Sequence, residues 1–134
     1  MTQSQRWAAS AALFLVLVAL IGCGKSESKP KSVLVSGTVT MDGKPLTEGT
    51  VYFKTVQTGA FDTLIVKDGK FEGDAEVGVR RVEVNAYRTK TIKDAMGGEV
   101  KENRIPARFN ADSTLAATVT ADGPNTFKFE VKSK

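Results

Sequence analysis

The sequence predicts an all-β domain, a sandwich of about seven short strands in two sheets, carried behind an apolar N-terminal leader. Three observations lead there. From Val33 onward apolar and polar residues alternate with period two, most clearly where Phe127, Phe129 and Val131 interleave with Lys128, Glu130 and Lys132. Turn signals recur between these runs, among them Asp42-Gly43 and Asp68-Gly69. No stretch after the leader carries a helical apolar period, so the aliphatic strand faces have only one another to pack against.

The leader comes first. Met1–Arg6 is polar with one basic side chain, and Trp7–Ile21 is an apolar run of 15 residues. That arrangement fits a secretory leader. As a helix the run spans only ~22 Å, short of the ~30 Å hydrocarbon layer that a permanent span must cross. It ends in Leu20-Ile21-Gly22-Cys23, which resembles the lipobox of bacterial lipoproteins. The resemblance implies diacylglycerol on the Cys23 thiol, cleavage after Gly22 and acylation, as with palmitate, of the new amino group. Several acyl chains on one residue anchor stably where one chain is marginal. Gly24, where an Asp signals inner-membrane retention in Gram-negative lipoproteins, leans towards the outer membrane. The expected organisation is a signal peptide over 1–22, an acylated cysteine and flexible tether over 23–32, and the sandwich over 33–134. Gly24–Ser32 is small, polar and charged and reaches at most ~30 Å when extended.

Composition narrows the function classes. The 134-residue chain carries a formal charge of +4, with basic and acidic residues interspersed, so it has no continuous basic face for nucleic acid. It contains no histidine, which removes the commonest general base and the commonest transition-metal ligand. Cys23 is the only cysteine, so the mature domain has no disulfide and no thiol nucleophile beyond the lipidated residue. No cofactor, metal site or catalytic residue is expected. Nothing in the sequence sets the oligomeric state.

Taken in order, Val33, Val35 and Val39 form one strand face with Gly37 among them, and Met41–Pro45 turns the chain. Thr50–Thr55 places Val51 and Phe53 inward, Tyr52 and Lys54 outward. Val56–Phe61 is a loop around Gly59. Asp62–Lys67 and Lys70–Gly73 flank the Asp68-Gly69 hairpin turn, with Phe71 pointing to the core. Val79–Tyr87 is one strand, with Val82, Val84 and Ala86 inward and Arg81, Glu83, Asn85 and Tyr87 outward. Leu115–Thr120 and Thr126–Lys132 complete the set, although Ala111–Ala117 also admits a helical turn.

These residues carry a resemblance. Val35-Ser36-Gly37-Thr38-Val39-Thr40, Asp42-Gly43-Lys44-Pro45-Leu46, Gly49-Thr50-Val51 with Phe53, Asp68-Gly69 with Phe71, and Val77-Gly78 resemble the carboxypeptidase regulatory-like domains. Those are transthyretin-like Greek-key sandwiches. Ile105-Pro106-Ala107-Arg108-Phe109-Asn110 with Ser113-Thr114-Leu115, and Asp122-Gly123-Pro124-Asn125 with Phe127 and Phe129, are similar to small planctomycete lipoproteins that carry this domain. The resemblance implies fold and location but no activity, because fold does not fix function. One position departs from the pattern: Arg80 stands where the family places an aromatic, on the face shared by Val82 and Val84. Either the strand begins after it and leaves it at the rim, or its guanidinium has a carboxylate partner; the rim is the expectation.

Chemistry-bearing candidates are few. Hydroxyisourate hydrolysis, known in some transthyretin-fold relatives, needs histidines that this chain lacks. Asp62, Asp68, Asp74 and Glu76 are too scattered for a calcium loop and read as turn and surface residues. Asn125 and a lysine near the first strand are the place for an isopeptide bond, with no diagnostic motif to support it. Sugar binding requires exposed aromatics, which leaves Tyr52 and Tyr87 once Trp7 departs with the leader. The segment Arg88–Arg104 is long for a connection inside a compact domain. Gly97-Gly98 allows it to form a hairpin arm that pairs Thr89–Lys93 with Glu99–Asn103, with Ile92, Met96 and Val100 as an apolar stripe. It reads equally as a contact surface and as a mobile loop. The expected protein is a lipid-anchored, non-catalytic envelope module for protein contact, adhesion or structure, held to the membrane through Cys23. A carbohydrate-binding module is the alternative, and the partners are an envelope protein or polysaccharide.

Overall fold

The computed structural model describes residues 29–94 and 96–134. The leader, Cys23 and the tether up to residue 28 lie outside them. The described chain is all-β: ten strands and one 3-10 turn, Ala107–Phe109. The strands are β1 (Ser32–Met41), β2 (Lys44–Pro45), β3 (Glu48–Lys54), β4 (Phe61–Lys67), β5 (Lys70–Glu76), β6 (Gly78–Asn85), β7 (Tyr87–Ile92), β8 (Gly98–Asn103), β9 (Ala116–Val119) and β10 (Thr126–Val131). Eight of them are linked in the order β10-β1-β5-β4-β3-β6-β9, with β2 on β1, while β7 and β8 form a separate two-stranded sheet. The alternation of sequence faces is kept in most of the main strands. In β6, however, Glu83 and Asn85, expected to face outward, are buried along with Val82 and Val84, because Glu83 is held by Lys54 and Arg81 and Asn85 accepts a hydrogen bond from Asn103. The helical turn admitted near residue 111 falls instead at Ala107–Phe109.

The linked strands do not lie flat. β4 and β5 pair only at Lys67↔Lys70, beside their connecting turn. There the sheet curls into two halves, β10-β1-β5 facing β4-β3-β6-β9, in the manner of a sandwich. Alternate side chains from both halves form one core. Phe53 of one half lies 6.2, 5.7 and 6.2 Å, centroid to centroid, from Phe71, Phe127 and Phe129 of the other. Burial of each such ring contributes roughly 1.5–3 kcal/mol. Gly37 makes this packing possible: a Cβ there would lie 2.5 Å from Cζ of Phe71 and 2.2 Å from the Phe127 carbonyl oxygen.

Two turns set the register. Asp42 and Gly43 have φ of 52° and 79°, and Asp68 and Gly69 have φ of 50° and 76°. Two successive positive φ values make the type I′ turn that matches strand twist, which is why Asp-Gly is favoured at both places.

Arg80 corrects an expectation. It is not at the rim; it is 1% exposed, inside the core beside Val82. β6 starts at Gly78, whose φ of 131° suits glycine, so the strand is already running when it reaches Arg80. The guanidinium is held from several strands. Nη2 donates to the Phe53 carbonyl at 2.6 Å and lies 2.9 Å from Asp62 Oδ2. Nη1 donates to the Glu76 carbonyl at 3.0 Å and lies 3.6 Å from the Glu76 carboxylate. Asp62 Oδ2 also accepts the Glu76 backbone N–H at 3.0 Å. A buried charge is tolerable only with such partners. Nε alone has none among the described residues.

A second difference concerns β6, which stops at Asn85 instead of running through Tyr87. The Ala86 N–H donates to Asn103 Oδ1 at 3.1 Å, and the Ala86 carbonyl accepts the Arg104 N–H at 2.8 Å. Both bonds draw the chain out of the main sheet and into the arm.

Truncating Arg80 to Ala removes a donor set serving two carbonyls and two carboxylates and leaves a void, so a loss of about 3–5 kcal/mol is expected. Arg80→Met, which refills the volume without the charge, should lose clearly less. Urea denaturation of both variants checks this; equal losses would mean that packing volume, not the polar network, sets the cost.

Candidate functional site

Along the long segment Arg88–Arg104, β7 and β8 pair as an antiparallel hairpin. Its register runs from Tyr87↔Asn103 at the base to Ile92↔Gly98 near the tip, so pairing starts two residues earlier than the sequence suggests. Asn103 fixes the base. Its Oδ1 accepts the backbone N–H groups of Ala86 and Ile105, each at 3.1 Å, and its Nδ2 donates to Asn85 Oδ1 at 2.8 Å. Arg88 clamps the two strands through Glu102 at 2.9 Å. These hydrogen bonds and the positive charge of Arg88 hold the Glu102 carboxyl below its ordinary pKa, with Lys90 adding to the effect. At the tip, Asp94 Oδ1 accepts the N–H groups of Met96 and Gly97 at 3.2 and 3.0 Å.

The candidate residues divide between places. On the arm, strand alternation puts Ile92 and Val100 on one face, with Lys90 directly opposite Val100. Tyr87 lies on the other face. Met96 projects from the tip and is 93% exposed. Ile92, Met96 and Val100 therefore form a broken stripe interrupted by Lys90, not a continuous one. Tyr52 is elsewhere, on the outer face of β3. Its ring meets Phe61 edge-on at 5.6 Å, and the Lys54 ammonium lies 5.9 Å from the Tyr52 centroid and 5.8 Å from that of Phe61. Lys54 in turn pairs with Glu83 at 2.8 Å. Phe61, 57% exposed, belongs to this patch and was missed by treating Val56–Phe61 as loop. Its signal was its place directly before the alternating Thr63 and Ile65. Cys23 lies outside the described residues.

The arm has a defined place on the domain. Ser32 pairs with Glu76, and the Val77 N–H donates to the Lys31 carbonyl at 2.9 Å. β6 therefore starts beside Lys31 and Ser32, at the entry to β1, and it ends at the other pole, where the arm begins. The Asp42-Gly43 turn at the far end of β1 lines one 490 Å³ cleft together with arm-base residues Arg88 and Glu102. Ten-residue β1 spans ~33 Å between these poles. Lys31 and Ser32, where the described chain enters the sandwich, and the arm stand at opposite ends of the domain.

Other buried polar residues do structural work. The Asn125 carboxamide exchanges hydrogen bonds with Thr120, accepting its N–H and donating to its carbonyl, each at 2.8 Å. It is occupied with its own turn instead of poised for a lysine. Asn110 Nδ2 donates to the carbonyls of Ile105 and Pro106 at 3.0 Å, and the Ser113 hydroxyl donates to the Val82 carbonyl at 2.5 Å. Together they lay the 105–115 segment against β6. Among the described residues there is no grouping of three or more His, Cys, Asp or Glu suited to a metal ion, and no helix long and apolar enough to cross a membrane. No family profile, curated protein or solved structure matches the chain.

At the arm pole, Ser133 holds the Asp42 carboxyl below its ordinary pKa of 3.8, through its hydroxyl first and then its backbone N–H, with a smaller contribution from Lys132. The N–H lies 3.0 Å from Oδ1. A depressed carboxyl stabilises the fold above its unfolded pKa and stops doing so as pH falls through the folded one. The Ser133 amide should therefore stay protected at neutral pH and lose its Asp42 bond only below pH 3.8. An NMR titration of that amide checks the sign; a transition at or above the ordinary value would contradict it.

Proposed function

We propose that this chain is a lipid-anchored envelope protein, acylated on Cys23. Its single transthyretin-like, carboxypeptidase regulatory-like Greek-key domain serves as a non-catalytic module for protein contact, adhesion or envelope structure, and the β7–β8 arm is its contact element. The leader and Leu20-Ile21-Gly22-Cys23 support the anchor, with Gly24 favouring the outer membrane. The observation that carries the contact role is the arm's position: an antiparallel hairpin, fixed at its base by Asn103, at the pole opposite Lys31 and Ser32. A mobile connection needs no such fixing. A tether of at most ~30 Å, a domain of ~33 Å and six residue pairs of arm together give a reach of tens of ångströms from the bilayer. Met96, Ile92 and Val100 then stand at the end of the protein far from the anchor.

The alternative, sugar stacking on Tyr52 and Tyr87, has less behind it. Tyr52 is engaged edge-on by Phe61 and flanked by Lys54, and Tyr87 stands alone on its arm face.

Two experiments test the proposal. Cys23→Ala should yield an unacylated, uncleaved precursor; lipidated protein from that variant would sink the anchor. For the arm, the full-length protein in mild detergent serves as bait for solubilised envelope proteins. It is compared with a variant in which residues 89–101 become a short Gly/Ser link and Asn103 is kept. A protein retained by the intact arm and lost with the link is the expected result. Equal capture by both would remove the arm from the contact.

A further inference from the structure

A second feature of the arm pole is independent of the arm's tip and of the lipid. The 490 Å³ cleft at the arm base and a 370 Å³ cleft beside the first hairpin share Met41, Asp42 and Arg104. Arg104 stands in the wall of both, so the two clefts adjoin and are taken together as one groove. The walls carry the charged side chains of Asp42, Lys44, Arg88, Glu102, Arg104 and Lys134, and three of them are already engaged. Arg88 is bound to Glu102, and Asp42 to Ser133. Arg104 and Lys44 form no ion pair among the described residues, and Arg104 is exposed.

The chemistry of this groove is mixed in a particular way. Arg104 offers a planar fork of donors suited to a carboxylate, which it can hold through two parallel hydrogen bonds. Thr47 and Ser133 add hydroxyls, and the Asp42 carboxylate is an acceptor for ligand hydroxyl groups. Met41, Pro45 and Pro106 supply apolar wall. A phosphate dianion would gain from Arg104 and Lys44 but would lie against Asp42, a like charge. A monoanionic carboxylate on a polyhydroxylated ring suits all three kinds of group: the fork takes the carboxylate, Asp42 takes hydroxyl protons, and the apolar wall meets C–H faces. Two adjoining clefts with Arg104 in both walls offer room for successive residues of a chain.

We propose that the groove centred on Arg104 binds acidic saccharide, a polymer bearing uronic acid carboxylates. This site differs from the aromatic one considered above, because recognition here is ionic and hydrogen-bonded. It also lies at the pole opposite Lys31 and Ser32.

The test uses the full-length protein in nonionic detergent and a fluorescent hexasaccharide containing glucuronate, with anisotropy as the readout. Binding of the hexasaccharide is expected, weakened by about tenfold or more in Arg104→Ala, as for loss of a charge-assisted bond. Arg104→Lys should recover only part of it, because an ammonium lacks the fork. The carboxyl-reduced hexasaccharide should bind as weakly to the parent protein as the intact one does to Arg104→Ala. Arg104 is exposed, so a thermal melt should show the variants folded. Replacing residues 89–101 by a Gly/Ser link leaves the groove walls in place and should leave binding unchanged, which separates this site from the arm. Equal binding of the carboxyl-reduced form, no effect of Arg104→Ala, or full competition by inorganic phosphate at matched ionic strength would each overturn the proposal.

Discussion

The buried guanidinium of Arg80 is the constraint around which the sandwich closes. Two sheet halves that curl apart after a single hairpin need something to fix their relation where the turn no longer can. Arg80 does this from β6 by binding the Phe53 carbonyl on β3, Asp62 on β4 and both backbone and side chain of Glu76 on β5. An apolar side chain of the same volume fills the space but satisfies none of those groups. The geometry is directional, so it also specifies which residues of four strands come together. Such specificity is the best-attested reason for keeping a charge inside a core. The aromatic cluster of Phe53, Phe71, Phe127 and Phe129 provides the non-directional counterpart, joining the same halves through area instead of angle.

Much of this was legible in the residues. Period-two alternation located the main strands, because a half-buried strand has no other way to be stable. The Asp-Gly pairs located two type I′ turns, because few dipeptides adopt two positive φ values cheaply. Arg80 was misplaced for a physical reason. Whether a charged residue on an apolar face is buried depends on partners such as Asp62, 18 positions earlier on another strand, and local pattern carries no trace of them. The end of β6 was missed for a similar reason: Ala86 continues the alternation, and it is Asn103 and Arg104, far along the chain, that divert its backbone.

The candidate site was legible in outline only. Length and the Gly97-Gly98 pair suggested a hairpin, and the hairpin is there. Its residues do not gather as the stripe suggested, since Lys90 sits opposite Val100 and Tyr87 takes the other face. The arm's lysines have a further effect. Exposed two-stranded ribbons present free backbone edges on both sides, and charged side chains along them discourage indiscriminate strand pairing. Lys90 and Lys101 occupy such positions. A partner of the arm must therefore offer more than an open edge. The groove around Arg104 was invisible in the sequence, because its walls come from the first hairpin, the arm base and the residues near Ser133.

The parallel pairing of β1 with β10 bears on when the domain can form. Met41 lies opposite Val131 and Ser36 opposite Thr126, so the first strand acquires one of its two long neighbours only from residues some ninety positions later. Pairings at such separation close last and slowly, after the intervening loop entropy has been met. Until Phe127 and Phe129 arrive, the aromatic cluster lacks half its members and Phe53 has a wet face. A polypeptide with this wiring stays loose while its N-terminal half is already in place. Closure of the core is then a single late event instead of a gradual one.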